Sequence, residues 1–510
     1  MILFAAFLAG FSALAIEVLG VHFVAPWFGA SSLVWSNQIG VILFAMALGA
    51  AIGGRVAKKH SNPALASGLV LFVSGLLLAF SAFFLPLFAD WFLPDALRLD
   101  EAATLFLGGS LTSALFFFAP PVFMLAMVAP LLVELRSVER GAGRAAGEIS
   151  AMGTVGSLLG VFGTTFLGIP VLGVRHSLFG IAFLLVLVGL LLWRTKPSIS
   201  KFTPVLILFL FWTPDLSISA NLPPGNPVVE QVADTPYQRL RTLRFDDGTW
   251  WLQMNEGVDS FQSIHKPDST WPGSYYDLFV LAPIYAMEGR DGSAPFQFWT
   301  LGHGAGSAME PLLAGIGTQD WSAVGVELDP KVLELSPKSK WGSRLQLVAG
   351  DARSLLRYAP KNLDLVLLDA YSRQFEIPLH LATQEFFSEV YGHLSDGGIF
   401  VANLSSSTLE EPNQSWLHAL LSGVRHSFED IRLHRVPFSR NVVLFARKGR
   451  PLPELETLVR LLPSGVPVEV GAACLPSQVV EQVPEISPLR DYLNPLALWQ
   501  ASEWLGGGRP

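Results

Sequence analysis

From Ile2–Phe28 the chain is an almost unbroken apolar run whose one formal charge, Glu17, stands near its middle. At 1.5 Å per helical residue that run is long enough to cross a hydrocarbon layer of about 30 Å. It lacks a basic start, so it reads as a retained span and not as a cleaved signal. Further spans are expected at 33–57, 64–89, 102–135, 149–172 and 177–193. The fourth is overlong and carries Pro120, Pro121 and Pro130, which have no amide donor and should kink or split it. A seventh apolar piece, 202–212, is short enough to be either a tilted span or a helix lying in the interface. Apolar residues make up 51% of the 510 and charged ones 15%, well away from a soluble average, and the excess sits in the first 215 positions.

Basic residues fall on alternate connections, at Arg55, Lys58 and Lys59, then Arg136, Arg140 and Arg144, then Arg194, Lys196 and Lys201. Such loops face the cytoplasm, whereas the acidic loop at 90–101 would face outside. Net charge of −8 and the lack of basic blocks argue against a nucleic-acid partner. The lone Cys474 excludes an internal disulfide and a cysteine-built metal site. Glu17 is costly in lipid and reads either as a packing residue or as part of a pathway. Glu148 reads as interfacial. Gly49 with Gly53, and Gly156 with Gly160, suit close helix contact.

After the Pro/Gly-rich linker NLPPGNP at 221–227, the segment 228–262 alternates apolar and polar residues around a turn at Asp246, Asp247 and Gly248, as a small antiparallel layer does. The apolar run Phe296–Leu301 then gives way to Gly302, Gly304 and Gly306, a helix-like segment and a second apolar run ending on Glu327. Two more runs end at Gly350, Asp351 and Ala352, and at Asp369. Four successive strands that each finish in a glycine or an acid are what a nucleoside site at the carboxyl edge of a parallel sheet requires. Glycines admit the ligand against the backbone, and Glu327 can accept from both ribose hydroxyls. Asp351 is placed near the adenine amino group and Asp369 at the reacting centre. His303, inside the glycine turn, has no second ligand at metal spacing and reads as a turn residue.

These residues resemble the spermidine synthases, the polyamine aminopropyltransferases. The resemblance rests on the glycine turn, VELD at 326–329, GDA at 350–352, LDAYS at 368–372, LATQEFF at 381–387, TPYQ at 235–238 and SYYDLFVLAP at 274–283, and it covers roughly 228–448. It implies transfer of an aminopropyl group from decarboxylated S-adenosylmethionine to a small polyamine-like amine, with no tightly bound cofactor and no metal. Asp369 matches the aspartate that orients and deprotonates the amine. Gly302, Gly304, Gly306, Glu327, Asp351 and Ala352 match the cosubstrate site. Tyr237, Gln238, Tyr276, Asp277 and Tyr371 match the acceptor side, with Tyr276 where the family has histidine and Asp277 where it has glutamate.

Two positions depart from the pattern. Ala305 stands where an aspartate holds the aminopropyl amine, and Ser372, followed by Arg373, stands where a second aspartate grips a diamine. Methyl transfer from S-adenosylmethionine is therefore an alternative, and a transporter or sensor that binds a nucleoside or polyamine without turnover is a third. The expected fold is an α-helical transmembrane bundle of six or seven spans (1–216), a linker and small β layer (217–290), a Rossmann-like doubly wound α/β domain (291–450), and a carboxyl-terminal helix and tail (451–510). Expected partners are the amine, the lipid bilayer and a second copy in a homodimer; the catalytic domain is expected on the cytoplasmic face of the plasma (inner) membrane.

Overall fold

The computed structural model describes residues 1–28, 32–59, 62–93, 99–193, 222–255, 261–290, 292–336, 338–371, 377–405, 415–437, 439, 441–476, 479–480, 486–491, 494, 496 and 499. The segment 202–212, Ser372, Arg373 and parts of the 90–101 loop and of the linker lie outside the described residues. Two compact units emerge: Met1–Pro224 with Gln231–Arg241 and Met254–Asp259, and Gly225–Glu230 with Thr242–Gln253 and Ser260–Pro510.

The first unit holds helices α1 (Ile2–Phe28), α2 (Ser32–Lys59), α3 (Pro63–Phe92), α4 (Leu99–Ser113), α5 (Ala119–Arg140), α6 (Ala142–Gly163) and α7 (Gly173–Trp193). Among the described residues five stretches are long and apolar enough to cross a membrane: Ile2–Phe28, Leu33–Lys59, Pro63–Phe92, Leu107–Arg140 and Ala142–Leu192. The fourth run is not split: the helix continues through a π turn, Ala114–Phe118, directly before Pro120 and Pro121. Both prolines fall in the first turn of α5, where the wider π turn accommodates the missing donors. A second π turn, Thr164–Leu172, ends at Gly173 with φ 76° and ψ 166°, outside helical geometry.

Small residues decide which helices meet. α1 packs on α6, α2 on α5 and α3 on α7. A Cβ at Gly156 would lie 2.1 Å from the Phe7 carbonyl oxygen, and one at Gly160 2.3 Å from that of Phe11. A Cβ at Gly49 would lie 2.3 Å from the Phe123 carbonyl oxygen of α5, and one at Gly53 2.7 Å from the Met127 Cα. Backbone contact of this kind is what drives helix association where lipid is as apolar as leucine. Glu148 pairs with Arg136 at 2.5 Å and with Arg144 at 3.1 Å.

The small sheet has the order β1 (Val228–Asp234), β2 (Arg239–Arg244), β3 (Trp250–Met254), β4 (Ser263–His265). The second unit is organised around strands β5 (Phe296–Leu301), β6 (Trp321–Glu327), β7 (Leu345–Ala349), β8 (Leu363–Leu368), β9 (Leu394–Ser405), β10 (Asp430–Arg435), β11 (Asn441–Arg447) and β12 (Val479–Val480), in the order β12-β10-β11-β9-β8-β5-β6-β7. β9-β8-β5-β6-β7 run parallel, and β10, β11 and β12 join antiparallel. Alternation along β8 sends Leu365 and Leu367 into one core with Phe296, Phe298 and Phe279, and Val366 and Leu368 into the other with Phe386 and Phe387. A parallel strand covered on both faces is mostly apolar, as β8 is in LDLVLL, and its one buried charge, Asp364, is paired with Arg290 at 2.7 Å.

The tail is tied to this domain. Arg353 is buried and donates to Glu389 at 2.7 Å and to Asp491 at 2.7 Å, and the Gln384 N–H donates to the Leu489 carbonyl at 2.9 Å.

Candidate active site

Register brings the acids level. β5 pairs with β6 on one side (Leu301 with Val326) and with β8 on the other (Leu301 with Leu368). After β7 the chain returns across β5 to reach β8, so the gap between β5 and β8 is the switch point where ligands bind outside the carboxyl ends of such sheets. Gly302, Glu327 and Asp369 follow or end these strands at one level.

The glycine turn is shaped by close approaches. Gly302 has φ 83°, and a Cβ there would stand 2.5 Å from the Asp369 carbonyl oxygen. The N–H groups of Gly302 and His303 both donate to the Val326 carbonyl, at 2.9 and 2.8 Å. Gly306, φ 91°, lies under the Trp341 ring. Glu327 accepts from the Gly304 N–H at 3.0 Å and from the Asp329 N–H at 3.3 Å, while burial pushes its carboxyl above the usual range. β4 clasps the turn from outside: Ser263 Oγ accepts from the Ala305 N–H at 2.8 Å, and His265 Nε2 reaches the Ala305 carbonyl at 3.0 Å. His303 points into the core, 2.9 Å from Thr300 Oγ1, and burial lowers its pKa to about 4, so the ring is neutral.

Asp369 is held at both oxygens. Tyr275 donates its hydroxyl to Oδ2 at 3.3 Å, and Asn403 Nδ2 donates to Oδ1 at 3.0 Å. Burial raises the Asp369 pKa to about 7 against the pull of those two donors. A carboxylate poised there can take a proton from an ammonium group near neutral pH.

The other expected site residues are distributed as follows. Tyr276 stacks on Tyr275, ring centres 4.2 Å apart, and donates to the Gln262 carbonyl at 3.0 Å. Asp277 is buried and accepts from the Gly273 N–H at 2.9 Å, holding its own turn. The Tyr371 hydroxyl donates to the Asn403 carbonyl at 2.8 Å and accepts from the Ser405 N–H at 2.9 Å. Asp351 caps the short helix Ala352–Leu356 through the Ser354 N–H at 2.8 Å and meets His380 Nε2 at 2.6 Å. Burial pushes its carboxyl up, but those hydrogen bonds together outweigh it and hold it below the usual range. Ala352 is buried at the start of that helix. Tyr237 and Gln238 belong to the first unit, where both N–H groups donate to Thr235 Oγ1 and the Tyr237 side chain is exposed.

Reasoning from sequence missed Tyr275, Asn403, Ser263 and His380. Two carried a signal: Tyr275 lies within the SYYDLFVLAP motif, and Asn403 is a lone amide within the apolar run of β9.

A parallel sheet with a glycine turn after its first strand and acids at the next strand ends defines the Rossmann-like, methyltransferase-type class of nucleoside-binding domain. Residues 299–402 match the family described as a methyltransferase domain. The chain is also similar to polyamine aminopropyltransferases. It is 28% identical over 215 residues to a Bifidobacterium longum protein named "Probable polyamine aminopropyl transferase", covering 42% of this chain and 45% of that one. It is 29% identical over 168 residues to the polyamine aminopropyltransferase of Thermoplasma volcanium, covering 31% of this chain and 57% of that one. The chain thus spans about half the length of these curated relatives. The solved spermidine synthase of Thermotoga maritima is 17% identical with a TM-score of 0.38, covering 55% of this chain and 87% of that one.

Proposed function

We propose that the chain is a membrane-anchored aminopropyltransferase that transfers the aminopropyl group of decarboxylated S-adenosylmethionine to a small amine. The observation that carries this reading is the Asp369 carboxyl, half-buried between Tyr275 and Asn403 and level with Glu327 and the glycine turn at the switch point. The amine must lose a proton before its lone pair can attack, and Asp369 receives it. The new C–N bond forms as the C–S bond breaks, and the sulfonium leaves as neutral methylthioadenosine. The backbone of Gly302, Gly304 and Gly306, with Glu327, Asp351 and Ala352, holds the adenosyl part. Tyr276, Tyr371 and Asp277 form the acceptor side, where aromatic faces attract a cation.

The helical unit is the anchor. The break at Gly173 supports counting α6 and α7 as separate crossings, and the alternating basic loops support a cytoplasmic amino terminus. The catalytic domain sits in the cytoplasm, where adenosylated cosubstrates are made, at the inner membrane. Methyl transfer remains the second reading because Ala305 offers no carboxylate for the aminopropyl amine. Purified protein incubated with each cosubstrate decides between them: methylthioadenosine supports the first, S-adenosylhomocysteine the second, and neither product leaves a binding protein.

A further inference from the structure

Asp369 stands at the head of a one-directional chain of donors. Leu368 pairs with Ala402 in the parallel register, which sets Asn403 beside Asp369. Asn403 pairs with Val443 and Ser405 with Asn441 in the antiparallel register, so the side chains of 403 and 441 emerge diagonally on one face. The Ser439 hydroxyl donates to Asn441 Oδ1 at 2.9 Å, Asn441 Nδ2 donates to Asn403 Oδ1 at 2.8 Å, and Asn403 Nδ2 donates to Asp369 Oδ1 at 3.0 Å. An ionised carboxylate only accepts, so the Asn403 nitrogen must face it, and the amide oxygen is thereby turned to Asn441. Asn403 is 3% exposed, and its carbonyl is tethered by the Tyr371 hydroxyl.

We infer that Asn403, oriented by Asn441, is a positioning residue that fixes the Asp369 carboxylate in its proton-accepting rotamer and favours its ionised form. The inference rests on the aminopropyl reading for its kinetic arm. Asn441 does the same at one remove, through the amide it locks. Hydrogen bonds in such a chain polarise one another, so the last donor is stronger than an isolated amide. Tyr371 acts on the same residue from its backbone side, which explains why its hydroxyl is spent on β9.

The test compares Asn403→Leu, which keeps volume and removes the donor, with Asn441→Leu, which leaves the donor in place but free to turn. Asn403→Leu should lower kcat by about 10- to 100-fold and move the midpoint of the kcat–pH profile upward by about one unit. Its affinity for methylthioadenosine, measured by calorimetry, should stay within about twofold of wild type, since the adenosyl side is untouched. Asn441→Leu should shift the midpoint in the same direction by less. An unmoved midpoint in both variants overturns the inference. If Asn403→Leu loses methylthioadenosine binding through misfolding, the Asn441→Leu profile decides alone. If wild type turns over neither cosubstrate, the aminopropyl reading fails by itself. Asn403 is then judged by infrared titration of the Asp369 carboxyl band, assigned by its loss in Asp369→Asn, and a titration midpoint equal in wild type and both variants rejects the role.

Discussion

The hydroxyl of Tyr275 lies 3.3 Å from Oδ2 of Asp369, 94 residues further along the chain. The contact joins the short helical segment Ser274–Val280 to the end of β8. It places a donor on one carboxylate oxygen while Asn403 occupies the other, so the group that would take the proton is aimed before any substrate arrives.

Turnover should rise with pH as Asp369 ionises, with a midpoint near its pKa of about 7. Single-turnover rates measured across roughly pH 5 to 9, about two units either side of that value, check this. The sign for stability is opposite. Folding raises this pKa from 3.8, so the contribution of Asp369 to stability is fully present below 3.8 and is lost as pH rises through about 7. Asp369→Asn should therefore retain methylthioadenosine binding, lose turnover by about a thousandfold, and flatten that part of the stability profile.

Tyr275→Phe removes one donor and leaves the stacked ring. Rates should fall about 10-fold and the pH midpoint should move upward, because the ionised form loses a hydrogen bond. Methylthioadenosine binding should be unchanged by calorimetry.

Gly302→Ala places a methyl 2.5 Å from the Asp369 carbonyl and at a φ of 83° that side chains rarely adopt. Backbone atoms cannot yield as a flexible side chain does, so the turn and Asp369 must both move. Cosubstrate affinity should drop by about 100-fold and kcat with it, on the order of a 1 Å misplacement at a reacting centre. A variant with wild-type kinetics would remove the glycine turn from the site.

Gly156→Leu sets a side chain against the Phe7 carbonyl, where even a Cβ would lie 2.1 Å away. α1 and α6 must separate, and the helical unit should lose thermal stability by several degrees in detergent. Gly147→Leu, where a Cβ meets open space, is the control that should not.

Much of this protein is legible one segment at a time. Hydropathy alone marks the helical stretches, and the glycines and the acids Glu327, Asp351 and Asp369 mark the carboxyl edge of a parallel sheet, because each strand carries its own terminus in its own sequence. What lies beside a strand end is a matter of lateral register, and no local pattern records it. Tyr275 and Asn403 meet Asp369 only because β9 pairs with β8 and the 274–280 segment packs over their face. The same holds for His380 on Asp351, for β4 on the glycine turn and for Asp491 on Arg353, each a contact between segments far apart in the chain. Strand order and helix packing choose those neighbours from many polar residues of similar type. The acids at the strand ends were therefore determined by the sequence alone, and the donors beside them were decided by the tertiary fold.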